Sequence, residues 1–139
     1  MANMSSYLEE KVLNHTFRGE NFDALDNVYL ALFTDQATGE DLEDGVLDNE
    51  IEEYDGYRPP INFSQPEQIE GVATIENEEE IEFTEMPEGT VEYAAVMDSE
   101  VQEDGGNILY WLEPSNGSRS VEEGDMIVVP AGDVVLELD

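Results

Sequence analysis

Apolar residues arrive in short runs along this chain, broken every few positions by acids, glycines and prolines. The longest run free of acid is Asn27-Val28-Tyr29-Leu30-Ala31-Leu32-Phe33-Thr34. It is too short for a helix that stands alone, and its β-branched and aromatic members suit a strand covered on both faces. This run is the predicted central strand. Ahead of it, Leu8, Val12, Leu13 and Phe17 recur at helical spacing, with Tyr7 beside them. Ser5 or Ser6 can cap that helix, Glu9 completes a capping box after Ser6, and Gly19 supplies the stop. The pattern predicts a short amphipathic helix lying on the sheet.

Beyond the central strand, residues 36–49 are acid- and glycine-rich and read as an exposed loop. Pro59-Pro60 confines the adjoining segment, including Ile61 and Phe63, to a sheet edge. Short strands are predicted over 72–75 and over 81–83, the latter half-exposed because Ile81 and Phe83 alternate with Glu80, Glu82 and Thr84. Val91, Tyr93, Ala95 and Met97 alternate with Glu92, Ala94, Val96 and Asp98, and are expected to share one face. Asp104-Gly105-Gly106-Asn107 is a hairpin turn with its return strand over 108–112. Further strands are predicted over 119–121, 126–129 and 134–138. Strand-like runs at this spacing predict a mainly β fold, an antiparallel β-sandwich of jelly-roll-like form with a short N-terminal α-helix. One domain is expected over 1–139, with 1–19 packing on or bridging from a sandwich over 27–139. Initiation at Met4 is expected to leave the fold unchanged.

Composition changes this picture mainly through charge. The chain has 139 residues, enough for one core, and no apolar run approaches the roughly 20 residues of a membrane span. Its first residues lack the basic start and apolar stretch of a secretory signal. Cysteine is absent, which excludes disulfides and thiolate metal sites. Asp and Glu number 36 against 4 Lys and Arg, for a net charge of −32. The four cations are Lys11, Arg18, Arg58 and Arg119. Such a surface repels itself in dilute buffer, whereas salt near 1 M shrinks the screening length to about 3 Å. Hydrophobic residues make up 40% of the chain and fall in patterned runs, which argues for a folded protein over a disordered one. Acid spread through nearly every segment is the surface expected of a protein from a salt-loving host. A basic nucleic-acid interface is excluded, because clustered cations are missing. An acidic DNA mimic would need its charge arrayed on one face, whereas acid here runs along the whole chain.

The order of short motifs carries further information. Tyr7-Leu8-Glu9, Leu13, His15-Thr16-Phe17-Arg18-Gly19 and the run Val28 to Thr34 open the chain, with Gly56-Tyr57-Arg58, Glu82-Phe83 and Gly89-Thr90-Val91 after them. Ser120-Val121, Gly124-Asp125, Val129-Pro130-Ala131-Gly132 and Leu136-Glu137-Leu138-Asp139 close it. In this order the motifs resemble a family of small tailed-phage virion structural proteins, tail-fibre-like or decoration proteins, over nearly the whole chain. The acidic stretches around 40–53 and 77–80 depart from that pattern and fit a version from a haloarchaeal tailed virus. The resemblance implies a virion structural protein without catalytic residues, made in the host cytoplasm and bound to itself and to other virion proteins such as capsid or tail proteins. The leading expectation is a capsid-surface decoration or vertex turret that assembles as a homo-oligomer. The alternative is a tail fibre or tail-tip component that binds host surface glycans.

Exposed apolar chemistry supplies the candidate contacts. Tyr7, Leu8, Val12 and Phe17 form the helix stripe, and Tyr110 and Trp111, adjacent on one strand, place one ring on each face. One of those rings is expected in the core, the other under an oligomer neighbour or exposed. His15, the sole histidine, would have to anchor any Ser–His chemistry, but beside Arg18 it complements the helix C-terminus. Asp41, Glu43, Asp44, Asp48 and Glu50 form acidic loops that attract Na, K, Mg or Ca ions without the order of an EF-hand, and no cofactor is implied. Asn3, Asn14, Asn62 and Asn116 precede x-Ser/Thr, with Asn116, in an Asn-Gly turn, the structurally suitable glycan acceptor.

Overall fold

The computed structural model describes residues 2–52, 57–114 and 117–138. In chain order the elements are β1 (Ala2–Met4), α1 (Ser6–Arg18), β2 (Val28–Thr34), α2 (Gly39–Glu43), β3 (Pro60–Ile61), β4 (Glu67–Ile69), β5 (Val72–Glu76) and β6 (Ile81–Phe83). They continue with β7 (Gly89–Met97), a 3₁₀ turn (Gln102–Asp104), β8 (Ile108–Leu112), β9 (Arg119–Val121), β10 (Ile127–Val129) and β11 (Val135–Leu138). The fold is mainly β and its strands pair antiparallel, as the turn-punctuated sequence predicts. The main sheet runs β1-β8-β7-β2-β3, with β9 paired to the start of β7. Two small sheets, β10-β6 and β11-β5-β4, stand apart from it.

Strand β2 is buried on both faces, as its composition predicts. Leu30 and Leu32 enter the larger core, whereas Ala31 and Phe33 enter a second core on the opposite side. The larger core lies against the small sheets through Ile81, Phe83, Ile127 and Leu136. The second is closed by α2 and the segment around it, through Ala37, Leu42 and Leu47. The expectation that 36–49 is an exposed loop is therefore corrected: this stretch holds a short helix whose Leu42 is buried. Thr38 and Asp41 form a reciprocal capping box that starts it.

Strand β7 lies between β8 and β2 and also differs from the expected pattern. Phe33 opposes Tyr93 but Thr34 opposes Val91, so Glu92 is an extra residue in β7. This bulge puts Val91 in the larger core while Tyr93, Ala95 and Met97 face the second. Ala94 and Val96, which alternate with them, are buried in the larger core. A second bulge lies in β8, where Val96 opposes Tyr110 but Met97 opposes Ile108, leaving Leu109 extra. Bulges add local bend and twist, and the sheet curls into a half-barrel. The hairpin between β7 and β8 is not the tight Asp104-to-Asn107 turn. Its loop spans 98–107, closed by Asp98 N–H to the Asn107 carbonyl at 3.3 Å and Asn107 N–H to Asp98 Oδ1 at 2.7 Å.

Two strands had no warning in the apolar pattern. β4 pairs with β5 across the two-residue turn Glu70-Gly71, both at positive φ. β1 pairs with β8, Ala2 opposite Leu112 and Met4 opposite Tyr110. Initiation at Met4 would therefore remove most of a strand, which corrects the expectation that it leaves the fold unchanged. Ser5 then joins strand to helix. Its N–H bonds the Leu109 carbonyl at 2.9 Å, its Oγ accepts from Leu8 N–H at 3.2 Å, and its hydroxyl donates to the Ile108 carbonyl.

The outer edge of β2 is held by a buried cation. Arg58 Nε and Nη2 donate to the Glu50 carboxylate at 2.8 and 2.7 Å, and Nη1 donates to the carbonyls of Ser99 and Gly105, both at 2.8 Å. The Arg58 side chain is fully buried and that of Glu50 is 6% exposed. Gln102 Nε2 adds bonds to Glu50 Oε2 at 3.1 Å and to the Ile51 carbonyl at 2.8 Å. Removing one member of such a pair strands the other charge without compensation. Arg58→Met is expected to cost about 3–5 kcal/mol, read from urea unfolding at constant high salt. Arg58→Met with Glu50→Leu is expected to recover part of that loss, because the carbonyls of Ser99 and Gly105 still lack a donor. A single variant within about 0.5 kcal/mol of the wild type, an ordinary surface substitution, would remove Arg58 from this structural role.

Candidate functional site

Helix α1 is seated only at its base. Tyr7 and Leu8 pack against the larger core and Val12 is half-buried, but no residue of α1 is fully buried. Its outer half stands clear of the sheet, with Leu13 57% and Phe17 77% exposed. Of the stripe expected to lie on the sheet, the base does so through Tyr7 and Leu8, and the half that carries Leu13 and Phe17 projects into solvent. Gly19 ends it at φ 72°, a left-handed position suited to glycine. His15 Nδ1 lies 2.9 Å from the Glu20 carbonyl and Lys11 Nζ lies 5.6 Å from the Tyr7 ring centre. Both are exposed, as is Arg18.

The two aromatic neighbours on β8 are covered from within the chain. Tyr110 is buried, donates its hydroxyl to the Glu137 carbonyl at 3.1 Å, and has its phenol pKa raised by desolvation. Trp111 faces the second core, edge-on to Tyr93 with ring centres 6.0 Å apart. Its Nε1 donates to Glu43 Oε2 at 2.8 Å, so α2 lids the ring and the structure supplies the cover expected of a neighbour. Gly39 is required there, because a Cβ at this position would lie 2.8 Å from Trp111 Cη2.

The acids singled out from the sequence divide by role. Asp41 caps α2, Glu43 holds Trp111 and accepts from Ser6 Oγ at 3.4 Å, and Glu50 holds Arg58. Asp44 and Asp48 are exposed. Among the described residues, no group of three or more His, Asp or Glu side chains is placed to hold a metal ion. Glu9 meets Glu43 between the two helices, and the side-chain hydrogen bond they share, with some desolvation and charge repulsion, raises its carboxyl pKa. A raised carboxyl favours the folded state below its unfolded pKa, and that contribution fades as pH rises through the folded value. Asn116 lies outside the described residues.

Two clefts open on the surface. One, of about 720 Å³, runs between the main sheet and the strands β10 and β11, floored by Leu30, Leu32, Val91 and Ala94 and edged by Arg119, Asp133 and Glu137. The other, of about 430 Å³, lies where the linker after α1 enters β2. Leu25, Val28, Ile61 and Phe63 floor it, and Asp26, Glu78 and Glu79 rim it. Sequence periodicity did not indicate either, since each joins segments far apart in the chain.

Trp111 is the sole tryptophan and so reports directly on the α2 lid. Gly39→Val is expected to push α2 off the ring, shift the emission to longer wavelength, and cost about 1–3 kcal/mol, as overpacking does. An unchanged emission spectrum would show that the lid tolerates the added side chain.

No curated protein matches the chain. The sequence profile of the family described as Podophage GP4 fiber I protein gp80 matches residues 3–137. That match takes in the projecting helix, both cores and the final strand, and the chain belongs to this family of phage fibre structural proteins.

Proposed function

We propose that this protein is a non-catalytic building block of a tailed-virus particle, part of its fibre apparatus, which associates with copies of itself and with neighbouring virion proteins. The observation that carries this reading is the family match over residues 3–137. Three of the acids read from the sequence as cation-attracting, Glu43, Glu50 and Asp41, are occupied in holding Trp111, Arg58 and the start of α2. A fibre shaft is built from repeated β segments, and no repeat is evident in this sequence. The position that suits it is therefore a terminal or connecting piece of the appendage. The same lack of repeats favours the second reading, a capsid-surface decoration or vertex turret.

The charge supports a virus of a salt-loving, haloarchaeal host. With nine acids for each Lys or Arg, ion pairing cannot neutralise this surface, so ions must screen it. Cryo-EM of whole virions in high salt tests the placement. Density of this fold at the tail supports the fibre reading, density on the capsid lattice or vertices moves it to decoration or turret, and absence from purified particles overturns both. For the salt reading, thermal unfolding is expected to shift steeply upward between about 0.1 and 2 M NaCl, where the screening length falls from about 10 Å to below 3 Å. Full stability at the low end without divalent ions would overturn the brine-adapted surface and leave the virion role standing.

A further inference from the structure

We infer that the projecting half of α1 docks into the acid-rimmed groove formed by Leu25, Phe63 and Glu79 on a second copy of this chain. The inference rests on the self-association proposed above and names the surfaces that perform it.

The first observation is where the cations lie. Of the four Lys and Arg, Arg58 is buried, leaving Lys11, Arg18 and Arg119 on the surface. Two of those three fall within residues 11–19 of α1, a stretch that also holds His15 and contains no acid. Two copies that each carry a charge of −32 repel over most of their surfaces. This half-helix is a largely exposed, acid-free stretch of net positive charge with which one copy can approach another.

The second observation is apolar. Leu13 and Phe17, one helical turn apart, are among the exposed large hydrophobic side chains, and Phe17 more so than any other of them. The third is the groove itself. Leu25, Val28 and Phe63 contribute apolar surface to a lining that also holds Asn27 and Asn62, and Asp26, Glu78 and Glu79 add three carboxylates with no cation among the lining residues. Its wall is fixed: Glu78 N–H bonds the Asn62 carbonyl at 2.8 Å, and Asn62 Nδ2 donates to Glu79 Oε2 at 3.4 Å. The larger cleft carries Glu113, Asp133 and Glu137 but also Arg119, a cation that the smaller groove lacks.

In the docked arrangement Leu13 and Phe17 meet the floor. Arg18 projects about 100° round the helix from Phe17, and its long stem carries the guanidinium to a rim carboxylate. High salt screens the charge pairs but strengthens burial of the apolar pair, so the contact persists in brine. Helix and groove belong to the same chain, joined by the linker that ends at Asn27. Two copies can therefore exchange helices reciprocally about a two-fold axis and close the assembly.

Sedimentation of the full chain in high salt tests this against Leu13→Gln with Phe17→Gln. Both side chains are exposed in the protomer, so secondary structure and urea midpoint are expected to stay the same while association weakens roughly tenfold or more. The absence of native cysteine allows a second test. A mixture of a Phe17→Cys variant and a Leu25→Cys variant is expected to form the mixed disulfide under mild oxidation, ahead of either symmetric one. A wild type that stays monomeric at every concentration overturns the inference together with self-association. A double Gln variant that associates like the wild type overturns the helix's part and leaves self-association standing. Dominant Phe17→Cys self-crosslinking overturns the groove in favour of helix pairing. Each outcome is independent of whether the protein is found in particles.

Discussion

Burying Arg58 constrains more of this fold than any apolar contact, because it fixes what lies beside β2. A buried guanidinium loses its hydration and must recover it from fixed partners. The Glu50 carboxylate and the carbonyls of Ser99 and Gly105 supply them, and the three come from two separated segments. The Glu50 segment, with the one around Arg58, also closes the open edge of β2. Thr34 N–H bonds the Asn49 carbonyl, Ile51 N–H the Leu32 carbonyl, and Leu30 N–H the Pro59 carbonyl, at 2.8–3.0 Å. An edge left unpaired would invite pairing with another chain. Here the cation draws the covering segments together, and the strand that carries both cores gains a second neighbour.

From that strand the architecture spreads to both sides. The bulges at Glu92 and Leu109 let neighbouring strands serve two cores with residues that simple alternation would put on one side. Buried alanines at 31, 94 and 95 keep the sheet thin between the two cores. On one side the small sheets are joined by Asn77, which donates to the carbonyls of Glu79 and Pro130 and accepts from Val134 N–H. On the other, α2 closes over Trp111, with Gly39 against the ring and Glu43 on its nitrogen. Asn77 and most of α2 lie in the acid-rich stretches that depart from the family resemblance, so those stretches are structural as well as solvated.

Charge and assembly share one logic. A surface this acidic keeps copies apart unless salt screens it and unless an acid-free, partly apolar element reaches across. The outer half of α1, residues 11–19, is acid-free and exposes Leu13 and Phe17, and the contact between copies proposed above uses that half.

The sequence by itself determined the mainly β class, the strand over 28–34 with two buried faces, the capped N-terminal helix and the strands near 81–83, 108–112, 119–121 and 127–129. These rest on local signals: period-two or continuous apolar runs, a serine cap, and turns rich in glycine and proline. The order of short motifs also pointed to tailed-phage virion proteins before any fold was in view. What tertiary structure alone decided depended on partners distant in sequence. β1 and β4 have little apolar pattern and exist because β8 and β5 offer them edges. α2 had a legible capping box at Thr38 and Asp41, yet five residues cannot hold a helix without Leu42 in a core and Trp111 beneath. Nothing local marks Arg58 as buried, since burial required Glu50, Ser99 and Gly105 to converge on it. The projecting α1 and the acid-rimmed groove were illegible for the same reason. Periodicity shows that a face is apolar, but only packing decides whether the chain covers it.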